Sequence, residues 1–274
     1  MSEQFLKFLG RGSMFNVKEG NTSAYWKDIS GKTMILIDCG CTVFGKIDQL
    51  NLLRDVENLV ILITHAHSDH IGSLSDLLFY CAFVKPSINV QILCHSVTTQ
   101  LVKQYLDATG TLNALKNYEF QIKQLTHGSV SIISDEEKYC NIKFVIDKSH
   151  HVVSDDVYSF NAGILMEFQN TLIYYSGDTQ RIPYDQLLKY KIDQLYVDCA
   201  VREHSPGSSD KYPHYMLYDM YTDIKENMPY LEIKNIYAMH LDCDGVIDEC
   251  ERFGINIVEV ESENKKEETR FYES

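Results

Sequence analysis

A chain of 274 residues with 45% hydrophobic and 23% charged side chains has enough apolar material for one large or two small cores, which excludes disordered, collagen-like and coiled-coil architectures. Its 25 basic and 39 acidic residues leave a net charge of −14, a surface that repels polyphosphate and disfavours long nucleic acid as a partner. The longest apolar runs, Leu59–Ile63 and Leu77–Val84, are far shorter than the roughly 18 to 20 residues of a membrane helix, and Met1–Phe5 carries neither a basic nor a long apolar signal region, so the expected location is the cytoplasm, away from membranes.

In chain order, β-branched and apolar runs predict strands over Met34–Asp38 and Leu59–Thr64, a helix over Leu74–Phe83, a strand over Val90–Cys94 and a helix over Val97–Ala108. Strands then follow over Lys143–Ile146, Gly163–Phe168 and Thr171–Tyr175, a helix over Tyr184–Tyr190, and a strand over Gln194–Val197. A helix over Tyr215–Glu226, a strand over Asn235–Met239, a helix over Gly245–Phe253 and a strand over Ile255–Val260 complete the pattern. Strands are grouped without strict alternation, which points to a layered α/β protein with mixed sheets. No linker divides the chain, so residues 1–261 are expected to form one domain. The Glu- and Lys-rich stretch 262–274 is expected to fray. The eight cysteines contain no Cys-x-x-Cys pair and several sit in apolar runs, as small buried hydrophobes do; neither a disulfide framework nor a Cys₄ zinc site is expected.

The chemistry is concentrated in Leu62-Ile63-Thr64-His65-Ala66-His67-Ser68-Asp69-His70-Ile71-Gly72. Three His and one Asp follow an apolar strand within six positions, a pattern with a chance frequency of roughly one in a thousand for this composition. In an extended turn residues two apart point the same way, so His65 and His67 can grip one ion. Asp69 and His70, past the bend, can face a second. Imidazole and carboxylate donors suit Zn²⁺, with Mn²⁺ or Fe²⁺ as substitutes. Two such ions about 3.5 to 4 Å apart can hold a hydroxide at neutral pH and stabilise charge on a carbonyl or phosphoryl oxygen.

The His-x-His-x-Asp-His segment resembles the signature of the metallo-β-lactamase superfamily of binuclear metallohydrolases. The resemblance implies a four-layer αββα sandwich with two mixed β-sheets and the metals at one edge. Phe8–Ser13 resembles the opening strand and turn of the phosphodiesterase branch, and Ile35–Gly40 its second strand, whose Asp38 supports the metal site from behind. By the same analogy one ion takes His65, His67 and either His150 or His151, the second takes Asp69, His70 and His240, and Asp178 bridges both. Taken alone, Asp178 in Ser176-Gly177-Asp178-Thr179 reads as a turn residue, and His240 as a satisfied strand-end histidine. Asp69 is also placed to orient or deprotonate the nucleophile. His214 resembles in position the downstream general acid of ribonuclease Z relatives; its plainer reading is a surface residue at a helix start. Glu203 and His204 lie in a polar loop that can line the pocket, whereas His95 and His127 read as structural.

Only 27 positions separate His151 from Asp178, too few for the tRNA-gripping arm of bacterial ribonuclease Z. Tyr196–Ala200 also replaces that family's His-Glu-Ala-Thr-like motif. A nearer resemblance is to the compact anti-Pycsar phosphodiesterases, through Phe8–Ser13, Gly20–Ser23, Thr64–Leu74, Tyr174–Thr179, Leu195–Asp198 and Tyr237–His240. It implies hydrolysis of 3′,5′-cyclic nucleotides such as cCMP, cUMP, cAMP and cGMP, a role against cyclic-nucleotide antiviral signalling, and a homodimer. Tyr212 and Tyr215 are candidate base-stacking faces. A tRNA 3′-endonuclease, a carboxylic ester or lactone hydrolase, and a metal-binding sensor or scaffold remain as alternatives.

Overall fold

A computed structural model of the protein describes residues 4–126, 129–133, 139–146, 160–168, 170–201, 213–227, 230 and 232–262. The first sheet runs β1 (Lys7–Gly10), β2 (Ser23–Lys27), β3 (Thr33–Ile37), β4 (Asn58–Ile63), β5 (Asn89–Cys94) and β6 (Phe120–Gln124), in that spatial order. Its first three strands are antiparallel and β3 to β6 are parallel. The second sheet contains β7 (Val130–Ile133), β8 (Tyr139–Ile146), β9 (Ala162–Phe168), β10 (Thr171–Tyr175), β11 (Ile192–Asp198), β12 (Ile233–Met239) and β13 (Asn256–Ile257). Here β7 to β10 are antiparallel and β10 to β13 parallel. Both sheets are therefore mixed, as expected from the grouping of strands.

Alternation along the strands builds the layers. On β3 and β4, Met34, Leu36, Leu59, Ile61 and Ile63 turn outward to a core shared with α1 (Val43–Gln49), α3 (Leu74–Phe83) and α4 (Ser96–Ala108). Ile35, Ile37, Val60 and Leu62 turn inward and meet Ile164, Met166, Ile173, Tyr175, Tyr196, Tyr237 and Met239 of the second sheet. On that sheet's far side Tyr174, Leu195, Val197 and Ala238 pack under α7 (Leu217–Asn227) and α8 (Gly245–Phe253). Three apolar layers between helix, sheet, sheet and helix make the αββα sandwich. Strands buried on both faces need continuous apolar runs, which is why β4 reads as Leu-Val-Ile-Leu-Ile. Truncating the fully buried Leu62 to Ala would cost about 2–5 kcal/mol.

The helices Leu74–Phe83 and Gly245–Phe253 form as the sequence predicts. Others differ for local reasons. The helix expected from Tyr215 starts at Leu217, because Met216 bridges to Ala200. Two single turns, α5 (Thr111–Ala114) and α6 (Tyr184–Leu187), also form, the second being all of the helix expected over Tyr184–Tyr190. The strand expected over Ile255–Val260 pairs only at Asn256–Ile257, after which Val260 bridges to Phe8 of the other sheet. Residues 263–274 of the expected frayed tail lie outside the described residues.

Candidate metal centre

The ends of β3, β4, β10, β11 and β12 converge on one edge of the sandwich, the carboxyl edge of both parallel halves, where crevices for ligands form in open α/β sheets. Asp38, directly after β3, has φ 60° and His240, directly after β12, φ 58°, left-handed conformations uncommon for side chains of any size and costly when they occur. Two residues past β10 stands Gly177, also left-handed at 62°. A Cβ there would lie 2.3 Å from Asn161 Oδ1 and 3.0 Å from Thr64 Cβ, so only glycine lets the turn present Asp178. Gly40 has a similar duty: its Cβ would fall 1.9 Å from the carbonyl oxygen of Asp69.

From β4 the chain enters the one-turn helix α2 (Ser68–Ile71), with His67 as its extended cap residue. His65 Nε2 lies 3.1 Å from His67 Nδ1 and 3.7 Å from Asp178 Oδ2. His70 Nε2 is 3.2 Å from Asp178 Oδ1 and 3.5 Å from Asp69 Oδ2. His240 Nε2 is 3.2 Å from Asp178 Oδ1 and 3.3 Å from Asp69 Oδ2. Two donor sets result, His65–His67–Asp178 and Asp69–His70–Asp178–His240, with a third grouping, Asp178–Asp198–His214–His240, beside the second, the atoms of each within 4.8 Å of one another. Asp178 belongs to both donor sets. The resemblance assigns the residues of these two sets to two ions; His150 and His151, one of which it adds to the first, lie outside the described residues together with His127, Glu203, His204 and Tyr212.

Carboxylates behind the donors hold the rings. Asp38, fully buried, accepts from Thr64 N at 2.9 Å, Thr64 Oγ1 at 2.8 Å and His70 Nδ1 at 2.8 Å, which turns His70 Nε2 to the centre. Asp198 does the same from the second sheet. Its Oδ1 lies 3.3 Å from His240 Nδ1, and its Oδ2 accepts from Thr179 N at 3.0 Å and from His214 Nδ1 at 2.8 Å. Sequence reasoning assigned Asp198 no role. Its signal was a lone carboxylate closing the apolar strand Leu195-Tyr196-Val197. His214 itself stands beside the centre, its ring 4.8 Å from that of His240 and 15% exposed. Tyr215 is a correction: it is buried, with its hydroxyl on Asp223 and Tyr184, so its ring packs in the core and presents no stacking face. His95 caps α4, its Nδ1 accepting from Val97 N.

The electrostatics fit a cation. Asp38, Asp69, Asp178 and Asp198 are all buried, and their described ion-pair partners are imidazoles. Burial pulls the His70 imidazole down, but Asp178, Asp69 and Asp38 outweigh it and raise it well above its ordinary value. Burial likewise opposes the charge on His240, but Asp178 and Asp198 push it up to about 10. Asp69 is held below the usual carboxylate range by His70 and His240, against the cost of burial. So much buried negative charge demands compensation, from protons or from metal ions that take their place on neutral imidazoles. Among the described residues the buried His70 Nε2 has no hydrogen-bond partner, as a donor aimed at a cation requires. The donor set fits divalent metal.

The family model described as anti-Pycsar protein Apyc1 matches residues 5–241. A relative described by the same words, from Bacillus phage vB_BsuM-Goe3, is 37% identical over 213 residues, 72% of this chain and 76% of its own length. Among solved structures, the metallo-β-lactamase fold protein YhfI from Bacillus subtilis superposes with a TM-score of 0.63 at 17% identity, over 93% of this chain and 94% of that one. The short form of human tRNase Z, ELAC1, superposes at 0.64 with 16% identity, over 93% and 96%. The fold is that of the metallo-β-lactamases.

Proposed function

Since the chain belongs to the anti-Pycsar protein Apyc1 family, we propose that it opens small 3′,5′-cyclic nucleotides (cCMP, cUMP, cAMP or cGMP) to nucleoside monophosphates, as a homodimer that counters cyclic-nucleotide antiviral signalling. The observation that carries this reading is His214 held by Asp198 beside the two donor sets: a proton donor is needed where the leaving group is a poor alkoxide.

His65, His67 and Asp178 would hold one divalent cation, and Asp69, His70, Asp178 and His240 a second, Zn²⁺ matching these donors best. Bound there, the cations supply Lewis-acid charge for a phosphoryl oxygen and lower the pKa of water. The protein's own side chains do the rest. Asp69 Oδ1, which no described group engages, accepts a proton from the attacking water. His214 is gripped through Nδ1, so its other ring nitrogen delivers a proton to the departing ribose oxygen. Water adds to phosphorus, the bond from phosphorus to that ribose oxygen breaks, one proton leaves to Asp69 and one arrives from His214.

The test is a turnover panel with zinc- and manganese-loaded protein on the four cyclic nucleotides, a tRNA precursor, bis(p-nitrophenyl) phosphate and a thioester. Cyclic nucleotides should open, with activity abolished in His67→Ala and slowed about 10²- to 10⁴-fold in His214→Ala. Cleavage of another ester class with cyclic nucleotides left intact would overturn the assignment.

A further inference from the structure

Between β1 and β2 the chain forms a turn, residues 11–21, tied at one end to the segment that carries His240 and at the other to the segment that packs on Asp69. On one side Ser13 N and Asn16 Nδ2 donate to the carbonyl of Leu241, at 3.0 and 3.1 Å, and Leu241 N donates to Arg11 O at 2.7 Å. Leu241 directly follows His240. On the other side Asn21 N donates to Thr42 Oγ1 at 2.8 Å, and Thr42 N returns a bond to Asn21 Oδ1 at 3.1 Å. Thr42 lies two residues beyond Gly40, whose Cα packs on the Asp69 carbonyl. The turn thus spans the rim from the His240 side to the Asp69 side. It is braced internally by Gly12 N to Gly20 O at 2.7 Å and by Arg11 Nε on Glu19 at 2.6 Å.

At the tip of this braced turn Phe15 is 79% exposed, with Val17 at 75% and Met14 at 38%. Three apolar side chains in four positions, held outward by a well-bonded backbone, are a surface kept for a contact. The protein carries a net charge of −14, so an anionic substrate gains little from long-range attraction away from the metals. Its neutral, planar base is the part that an apolar rim can hold, and aromatic faces hold bases by stacking.

We infer that Phe15 is the specificity-determining residue that stacks on the nucleobase while the phosphate sits at the donor sets, Val17 and Met14 extending the same apolar rim. This rests on the reading that the substrate is a cyclic nucleotide. The test compares metal-loaded wild type, Phe15→Ala, Phe15→Trp and Phe83→Ala on cAMP and on base-free 1-O-methylribose 3′,5′-cyclic phosphate. Phe83 is a 70% exposed control at the end of α3. In Phe15→Ala the ratio of kcat/KM for cAMP to that for the base-free compound should fall about tenfold, through KM. Phe15→Trp should keep the ratio and Phe83→Ala should leave both substrates at wild-type rates. An unchanged ratio in Phe15→Ala would sink the stacking contact alone, if the wild type opens cAMP. Equal loss on both substrates with a smaller particle by light scattering would also overturn it, by making Phe15 a subunit contact. A wild type that opens no cyclic nucleotide would remove the underlying reading and this contact with it.

Discussion

Asp198 places both its carboxylate oxygens on imidazoles, His240 at 3.3 Å and His214 at 2.8 Å, and takes the Thr179 amide as well. It therefore couples a metal donor to the proton donor, and its loss should disturb both. Asp198→Ala is expected to lower metal affinity or turnover by about 10- to 100-fold, the usual cost of removing a group that orients a ligand. Calorimetric titration of zinc beside kcat separates the two effects. Asp38 makes the complementary arrangement on the first sheet, with Thr64 and His70. Each sheet thus supplies one buried carboxylate whose task is aim.

At the scale of elements, α1 and α3 cover the outer face of the first sheet, and that burial has a chemical reading in their neighbours' thiols. Burial pushes Cys39, two residues past β3, and Cys81, on α3, up to about 12, and Cys94 on β5 up to about 11. The thiolate is the reactive form, so at pH 8 these groups are protonated as well as shielded. Exposed Cys41 should react with an aromatic disulfide reagent within minutes, whereas Cys39, Cys81 and Cys94 should react only after denaturation. Rapid labelling of those three in the native protein would contradict the packing of this layer. The same burial explains what could be read from the sequence. β4 and β10 are sandwiched between two layers, so their apolar runs, Leu-Val-Ile-Leu-Ile and Leu-Ile-Tyr-Tyr, are continuous and unmistakable. β6 (Phe-Gln-Ile-Lys-Gln) is an edge strand with mostly exposed side chains, and β2 mixes Ser, Tyr, Trp and Lys; neither carries a burial signal. The donors of the β4–α2 turn were legible because they are contiguous. Asp178 and His240 became legible only through resemblance, and Asp198 remained hidden because a carboxylate at a strand end says nothing about the rings it will meet.

Across the whole molecule the two sheets bring different parts of the cage: His65, His67, Asp69 and His70 from the first, Asp178 and His240 from the second. A ligand that binds the joined form more tightly than the open chain stabilises it by mass action. Chelation should therefore lower the melting temperature by several degrees, and zinc should restore it, an outcome read by calorimetry independently of catalysis. A melting temperature indifferent to chelator would mean that the buried carboxylates are balanced by protons alone.

The spacing of those donors along the chain also orders events in time. Four of them lie within six residues and need only a local turn, so they can hold an ion while much of the chain is unfolded. Asp178 and His240 arrive from more than a hundred residues away, and contacts of that sequence separation form late. Cation affinity during refolding should accordingly rise in two stages, the second marking the moment at which the two sheets meet.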